Sequence, residues 1–167
     1  KGIVINTAEL RMYYFPPEGG VRTFALGVGR EGYLTPHGQT KIARKAEKPS
    51  WYLTPSEIKD HPELPPVIPP GPDNPLGDHA LYLGWPTYLI HGTNNAYGIG
   101  RRASRGCIRM YPEDIAWLYP KIPVGTPVMV VDQAVKIGRR GNDLYLEAHP
   151  SVKQIDLMEE TSKSPAP

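Results

Sequence analysis

The twenty prolines constrain this chain more than any other feature. They fall between short apolar runs along the whole 167 residues. A proline inside a helix removes a hydrogen bond and clashes with the preceding turn, and in a central strand it removes a ladder donor. Long helices are therefore excluded, and many short strands joined by turns are favoured. Eight of the prolines crowd into residues 54–78 (Pro55, Pro62, Pro65, Pro66, Pro69, Pro70, Pro72 and Pro75). Leu64 to Gly77 can form neither a central strand nor a helix, yet it carries Val67, Ile68 and Leu76. Its apolar residues argue against a solvated linker, so an ordered loop walling the active site is expected.

The remaining segments read as strands with two helical pieces. Gly2–Asn6 and Glu9–Phe15 suit a hairpin, with Leu10, Met12 and Tyr14 on one face and Arg11 and Tyr13 on the other. Val21–Val28 reads as a third strand and Thr40–Lys45 as a fourth. Thr35-Pro36-His37-Gly38 suits a β-turn with proline at its second position. Thr54-Pro55-Ser56-Glu57 is a capping box, predicting one or two helical turns to about Asp60. Ala80–Leu83 and Thr87–Ile90 are strands, the second delivering His91. Pro112–Tyr119 is the best helix, opened by proline and acids and closed by Pro120. Val128–Val131 is a buried strand. These elements make residues 1–132 one domain. Residues 133–167 read as an extension: a hairpin of Val135–Ile137 and Leu144–Leu146, a short helix over 151–160, and a disordered tail.

Other functions are excluded on the way. Gly27-Val28-Gly29-Arg30-Glu31-Gly32 matches a dinucleotide fingerprint, but no helix opens at its last glycine, so close approach or a tight bend explains it better. A net charge of +2 does not argue for nucleic acid. No apolar run reaches the roughly 20 residues of a membrane span. His37, His61, His79 and His149 show no metal-ligand spacing, and no metal or cofactor is expected. One cysteine makes no internal disulfide and leaves the compartment open.

That cysteine, Cys107, follows His91 by 16 positions (107 − 91). A free thiol is mostly protonated at neutral pH, so attack on an amide carbonyl needs a base or a cation nearby. His91, ending a strand and followed by Gly92, is the candidate base. Gly106 before the cysteine would let the amides of Gly106 and Cys107 form an oxyanion hole. A lone cysteine is also commonly a small buried hydrophobe, and a lone histidine before glycine a turn residue, so the pattern alone leaves both readings open. Arg109 suits either a surface ion pair or a substrate carboxylate.

Ile90-His91-Gly92-Thr93 followed by Ser104-Arg105-Gly106-Cys107-Ile108-Arg109-Met110 resembles the signature of L,D-transpeptidases of the YkuD domain, nearest to the proteobacterial ErfK/YbiS/YcfS/YnhG group. Lys1–Pro16, Thr35–Gly38, Pro70–Gly77 and Gly125–Val128 resemble further stretches of that group. The resemblance implies a mostly-β sandwich of mixed sheets with few short helices. It implies Cys107 as nucleophile, His91 as base, the Gly92 carbonyl orienting the imidazole, and Gly106 and Cys107 at the oxyanion hole. Arg109, Arg105, Ser104 and Thr93 are expected on the substrate side, and Arg101 and Arg102 could join them to meet carboxylates. Two positions depart from the pattern: Arg105, where many members have histidine, and Tyr111, where many have a capping asparagine.

The implied substrate is the peptidoglycan stem tetrapeptide, cleaved with loss of terminal D-alanine. The acceptor would be a second stem peptide, giving a 3-3 cross-link, or a lysine of an outer-membrane lipoprotein. Water as acceptor would make an L,D-carboxypeptidase, and a non-catalytic wall-binding module is the rival from another class. Carbapenems are expected to acylate Cys107. The implied location is the periplasm or cell envelope of a Gram-negative bacterium, with any signal segment outside this chain.

Overall fold

A computed structural model of the chain describes residues 1–151 and 154. The first strands, β1 (Gly2–Asn6) and β2 (Arg11–Phe15), form the expected antiparallel hairpin, and β3 (Arg22–Ala25) pairs on its far side. Met12 and Tyr14 are buried and Arg11 is exposed, as the alternation requires. The third strand is shorter than the apolar run suggests. It ends at Ala25, and Val28–Gly29 is a separate strand, β4. Between them Gly27 leaves the β2 edge to exchange two hydrogen bonds with Arg109, at 2.9 and 2.8 Å. A side chain at Gly27 would meet the Gly98 carbonyl at 2.3 Å, so close approach is what this glycine of the G-x-G-x-x-G run provides. No turn bond closes Thr35–Gly38; a turn bond is made at Arg30–Tyr33, and the Thr35 hydroxyl bonds to the backbone of Gly29 and Gly106.

The long strand β5 (Gly38–Glu47) joins two half-sheets. Its first part pairs with β12 (Pro127–Val131), and after Lys41 it pairs with β8 (His79–Leu83), with a register shift between Ile42 and Arg44. Pro127 takes the first position of its strand, where a missing N–H is tolerated. β6 (Trp51–Tyr52), α1 (Pro55–Asp60) and β7 (Val67–Ile68) make an excursion between β5 and β8. β9 (Leu89–His91), β10 (Arg102–Ser104) and β11 (Ile108–Arg109) follow, then α2 (Pro112–Leu118). The eight-stranded order is β11-β9-β8-β5-β12-β1-β2-β3, and β4 pairs with β10. Because Gly27, just beyond β3, bonds to Arg109 of β11, the sheet curls until its two edges are stitched together. The core lies inside this curl, and Ile115 and Leu118 of α2 plug it. The fold is mostly β, in curled mixed sheets. α2 ends one residue earlier than expected, with Pro120 inside a following 3-10 turn (Tyr119–Lys121). Tyr111 makes no capping hydrogen bond, as its departure from asparagine implied.

The proline-rich segment is held by polar anchors. Asn74 is fully buried; its Nδ2 donates to the Pro49 carbonyl at 2.8 Å and its Oδ1 accepts from Leu76 N–H at 2.9 Å. The capping box forms as expected: Glu57 N–H donates to Thr54 Oγ1 at 3.3 Å, and Thr54 N–H to Glu57 Oε2 at 2.7 Å. After Asp132, β13 (Val135–Arg140) and β14 (Asp143–Ala148) form a hairpin of their own, longer than the apolar triplets alone suggest. Lys136 fastens it to the body through Glu9 and the Tyr13 hydroxyl (2.7 Å), and also binds Glu147. Glu9, Glu147 and His149 come close enough to hold a cation, and the Lys136 ammonium already bonds to both carboxylates. The helix expected over 151–160 and the tail lie outside the described residues, apart from 151 and 154.

Candidate active site

Two short parallel strands place the chemistry. β9 and β11 pair with Ile90 opposite Ile108 and His91 opposite Arg109. Ile90 and Ile108 are fully buried in the core, each stabilising the pair by about 2 kcal/mol. Side chains alternate along a strand, so Leu89, His91, Cys107 and Arg109 share the opposite face. The histidine and the cysteine, 16 positions apart in sequence, become neighbours because a loop from Gly92 to Gly106 returns the chain in parallel.

His91 is almost wholly buried. Its Nδ1 lies 2.6 Å from the Gly92 carbonyl oxygen. A carbonyl only accepts, so Nδ1 carries the proton and Nε2 of the neutral ring keeps its lone pair. Burial, then the Arg109 charge, push the imidazole down to about 4, against an upward pull from the Gly92 and Leu76 carbonyls. Burial also pushes the Cys107 thiol up, and the Glu57 charge adds to this. The Leu89 backbone and Arg109 pull the other way. The resting pair is thus a neutral thiol and a neutral imidazole, with Sγ directed at the Thr87 carbonyl 3.5 Å away.

The loop carrying the thiol is built from hydroxyls and one obligatory glycine. Ser104 is buried; its Oγ donates to the Cys107 carbonyl at 2.5 Å and accepts from Gly106 N–H at 3.2 Å. Thr35 Oγ1 donates to the Gly106 carbonyl at 2.9 Å and accepts from Gly29 N–H at 3.1 Å. Gly106 has φ 102°, and a Cβ there would lie 2.7 Å from Cε1 of Tyr88. Of the two amides expected at an oxyanion hole, that of Gly106 is taken up by Ser104, whereas that of Cys107 bonds to no described residue.

Two cavities meet at Cys107. One, of about 300 Å³, is lined by His91, Arg109, Ser104, Arg30, Pro75 and Leu76 among others; the second, of about 390 Å³, by Thr87, Leu89, Tyr82, Arg44 and Tyr33. Trp51, Glu57, Leu76 and Arg105 line both. The proline-rich loop and α1 thus wall the site, as expected. Arg109 stands inside the first cavity, and its Nε is buried with no partner. Arg105 pairs with Asp60 of α1 at 2.6 Å, and the arginine that acts on the thiol is Arg109. Ser104 borders the first cavity, but its hydroxyl is spent within the loop. Thr93 borders neither cavity; it is buried, with its hydroxyl donating to the Asn95 carbonyl. Arg101 stacks on Tyr97, and Arg102 donates to the Thr7 carbonyl, so neither lines these cavities. Thr35 and Glu57 were visible only as parts of a turn motif and a capping box, with no sign of their place beside the thiol.

Comparison with known proteins agrees with this geometry. Residues 1–130 match the model of the YkuD family, the L,D-transpeptidase catalytic domain. The chain is 42% identical over 175 residues to an Escherichia coli protein named "Probable L,D-transpeptidase ErfK/SrfK", covering all of this chain and 56% of that one. It is 45% identical over 159 residues to the E. coli "Probable L,D-transpeptidase YbiS", covering 89% of this chain and 51% of the relative. The chain therefore spans about half the length of these curated relatives. Among solved structures, an Enterococcus faecium L,D-transpeptidase superposes with a TM-score of 0.61 at 21% identity, over 77% of this chain and 48% of that one. L,D-transpeptidase 3 from Mycobacterium tuberculosis, solved with a faropenem-derived adduct, gives 0.54 at 21%, over 77% and 59%. With the family model matching most of the chain, and the thiol, the imidazole and its orienting carbonyl assembled on the matched segment, the chain belongs to the L,D-transpeptidase family of the YkuD domain.

Proposed function

We propose that this chain performs cysteine-dependent acyl transfer on peptidoglycan stem peptides. The observation that carries this reading is the position of Cys107 at the meeting of two cavities, one of which His91 also lines, with the imidazole proton held on Nδ1 by the Gly92 carbonyl. As Sγ attacks the carbonyl of the third residue, its proton passes to His91 Nε2 and an S–C bond forms. The Cys107 N–H is the available donor for the developing oxyanion. The C–N bond to D-alanine breaks, and the leaving amine takes the proton from Nε2. An amine then enters, attacks the thioester and frees the thiol. The acceptor is the diamino acid of a second stem or a lipoprotein lysine, and an envelope location follows from that substrate. Arg109 serves a donor carboxylate. Residues 1–132 act as the catalytic unit and those after as an appended element; the family match over 1–130 and the separate β13–β14 sheet support that division.

The test is incubation of purified protein with tetrapeptide muropeptides, with and without a lysine-ended lipoprotein peptide, read by mass spectrometry. Loss of D-alanine and a new amide are expected, and Cys107→Ala should stay folded with no turnover. An intact tetrapeptide with the wild type, or turnover by the variant, overturns the reading.

A further inference from the structure

We propose that Glu57 is the acceptor-recognition residue, its carboxylate binding the ammonium group of the incoming amine and so favouring amine over water. This rests on the acyl-transfer reading above. Glu57 lines both cavities that meet at Cys107, and among the described residues it is the only carboxylate lining either. The charged company there is otherwise cationic: Arg30, Arg44, Arg105 and Arg109. Guanidinium groups suit the carboxylates of a stem peptide. They repel the one cationic reactant, the acceptor, which needs an acid near the sulphur. Glu57 lies close enough for its charge to act on the thiol.

The carboxylate is held in place. Oε2 accepts from Thr54 N–H at 2.7 Å and from Thr54 Oγ1 at 2.8 Å, while no described residue bonds to Oε1. α1 contributes no buried residue, so it does not serve the core. Its last residue, Asp60, is tied at 2.6 Å to Arg105, which stands two positions before the nucleophile. The helix bearing the carboxylate and the loop bearing the thiol are thereby fastened to each other, across the junction an acceptor must enter.

The protons balance. Of the bound ammonium's three, one passes to Glu57 and on to solvent, which frees the nitrogen lone pair. The N–C bond forms at the thioester carbonyl, a second proton moves to His91 Nε2, and the C–S bond breaks. That proton then returns to sulphur.

The experiment compares wild type with Glu57→Gln, in which glutamine preserves the capping box. Tetrapeptide is the donor, and the acceptors are Nα-acetyl-lysine amide, a cation, and hydroxylamine, uncharged at neutral pH. Removing the Glu57 charge also acts on the thiol, so the two acceptors are compared with each other, and the half-saturating concentration of hydroxylamine should be unchanged in the variant. The half-saturating concentration of the lysine probe should rise about tenfold, the loss of one charge-assisted hydrogen bond, with more hydrolysed product. In the wild type, guanidinium ion should compete with the lysine probe and not with hydroxylamine. Equal effects on both acceptors, or none on the lysine probe, or no competition by guanidinium, overturn the assignment. If the wild type releases no D-alanine with any acceptor, the acyl-transfer reading fails and this inference goes with it.

Discussion

Arg109 stands directly across from His91 in the parallel register of β9 and β11, and its charge is the second cause, after burial, that holds the imidazole near 4. The guanidinium has a buried Nε without a partner and faces the cavity beside the thiol. A carboxylate docking there would offset the charge that the imidazole feels, so binding of substrate and strength of the base are linked. Arg109→Gln should lower kcat/KM for tetrapeptide by roughly tenfold or more through loss of the charge-assisted contact. NMR of the free variant should show His91 titrating above the wild-type value. An unchanged kcat/KM would remove Arg109 from the substrate site.

The same electrostatics fix the resting state of the thiol. The imidazole gains a proton only near pH 4, and burial raises the thiol above its usual 9.0. Both shifts favour a neutral thiol and a neutral imidazole over a thiolate–imidazolium pair in the free protein. Alkylation of Cys107 by iodoacetamide should be slow at neutral pH and climb steadily through the alkaline range. A rate that stays flat across neutrality, measured by whole-protein mass, would reveal an ion pair and contradict this picture.

Acid should weaken the fold through His91. Its value falls from 6.5 to about 4 in the folded chain, so below 6.5 the unfolded chain binds the proton first. The stability contributed by keeping this ring neutral is complete above pH 6.5 and lost progressively as pH falls through about 4, amounting to about 3 kcal/mol. Urea denaturation across this range should show the loss in the wild type and a shallower slope in His91→Gln. Identical slopes would mean that His91 is accessible to protons in the native state.

Gly106→Ala tests the nucleophile loop. The backbone there has φ 102°, and the new methyl would sit 2.7 Å from the Tyr88 ring. Strain of this kind is worth about 1–3 kcal/mol. Thermal melting should register that loss, and D-alanine release should fall far more than stability, because the loop aims the thiol. Retained turnover would show that the geometry of residues 104–107 is not critical.

Local signals in the sequence specify local structure. Thr54 and Glu57 form their capping box because every group in it lies within one turn. Pro112 opens α2 and His91 ends β9 because proline, acids and alternation act on neighbouring residues. The alternation also sorted Met12 and Tyr14 inward. It could not say which strand would lie beside which, so the break at Gly27 and its bond to Arg109 came only with the fold. The site divides in the same way. Cys107, His91 and Gly92 stand out in the sequence because the motif is short and ordered, and the fold sets His91 Nδ1 against the Gly92 carbonyl and Cys107 on the same cavity. Arg105 is expected on the substrate side, yet its partner Asp60 is 45 positions away (105 − 60) and no local rule links them. Ser104 and Thr93 looked like substrate contacts because exposed hydroxyls and backbone-bonded hydroxyls are written with the same letters.

The position of β12 governs when this molecule can come into being. It lies between β1 and β5 in the middle of the sheet, pairing Ile3 with Val128 and Lys41 with Pro127. A ribosome must therefore extrude the chain through Val131 before this central gap can be filled, and contacts so distant along a chain form slowly. Until that late insertion no ladder of the large sheet joins the half that holds His91 and Cys107 (β5, β8, β9 and β11) to the half made of β1, β2 and β3. The strands that bear the thiol and the imidazole can pair before the sheet is closed, so closure of the sheet, and not assembly of that pair, is the late event.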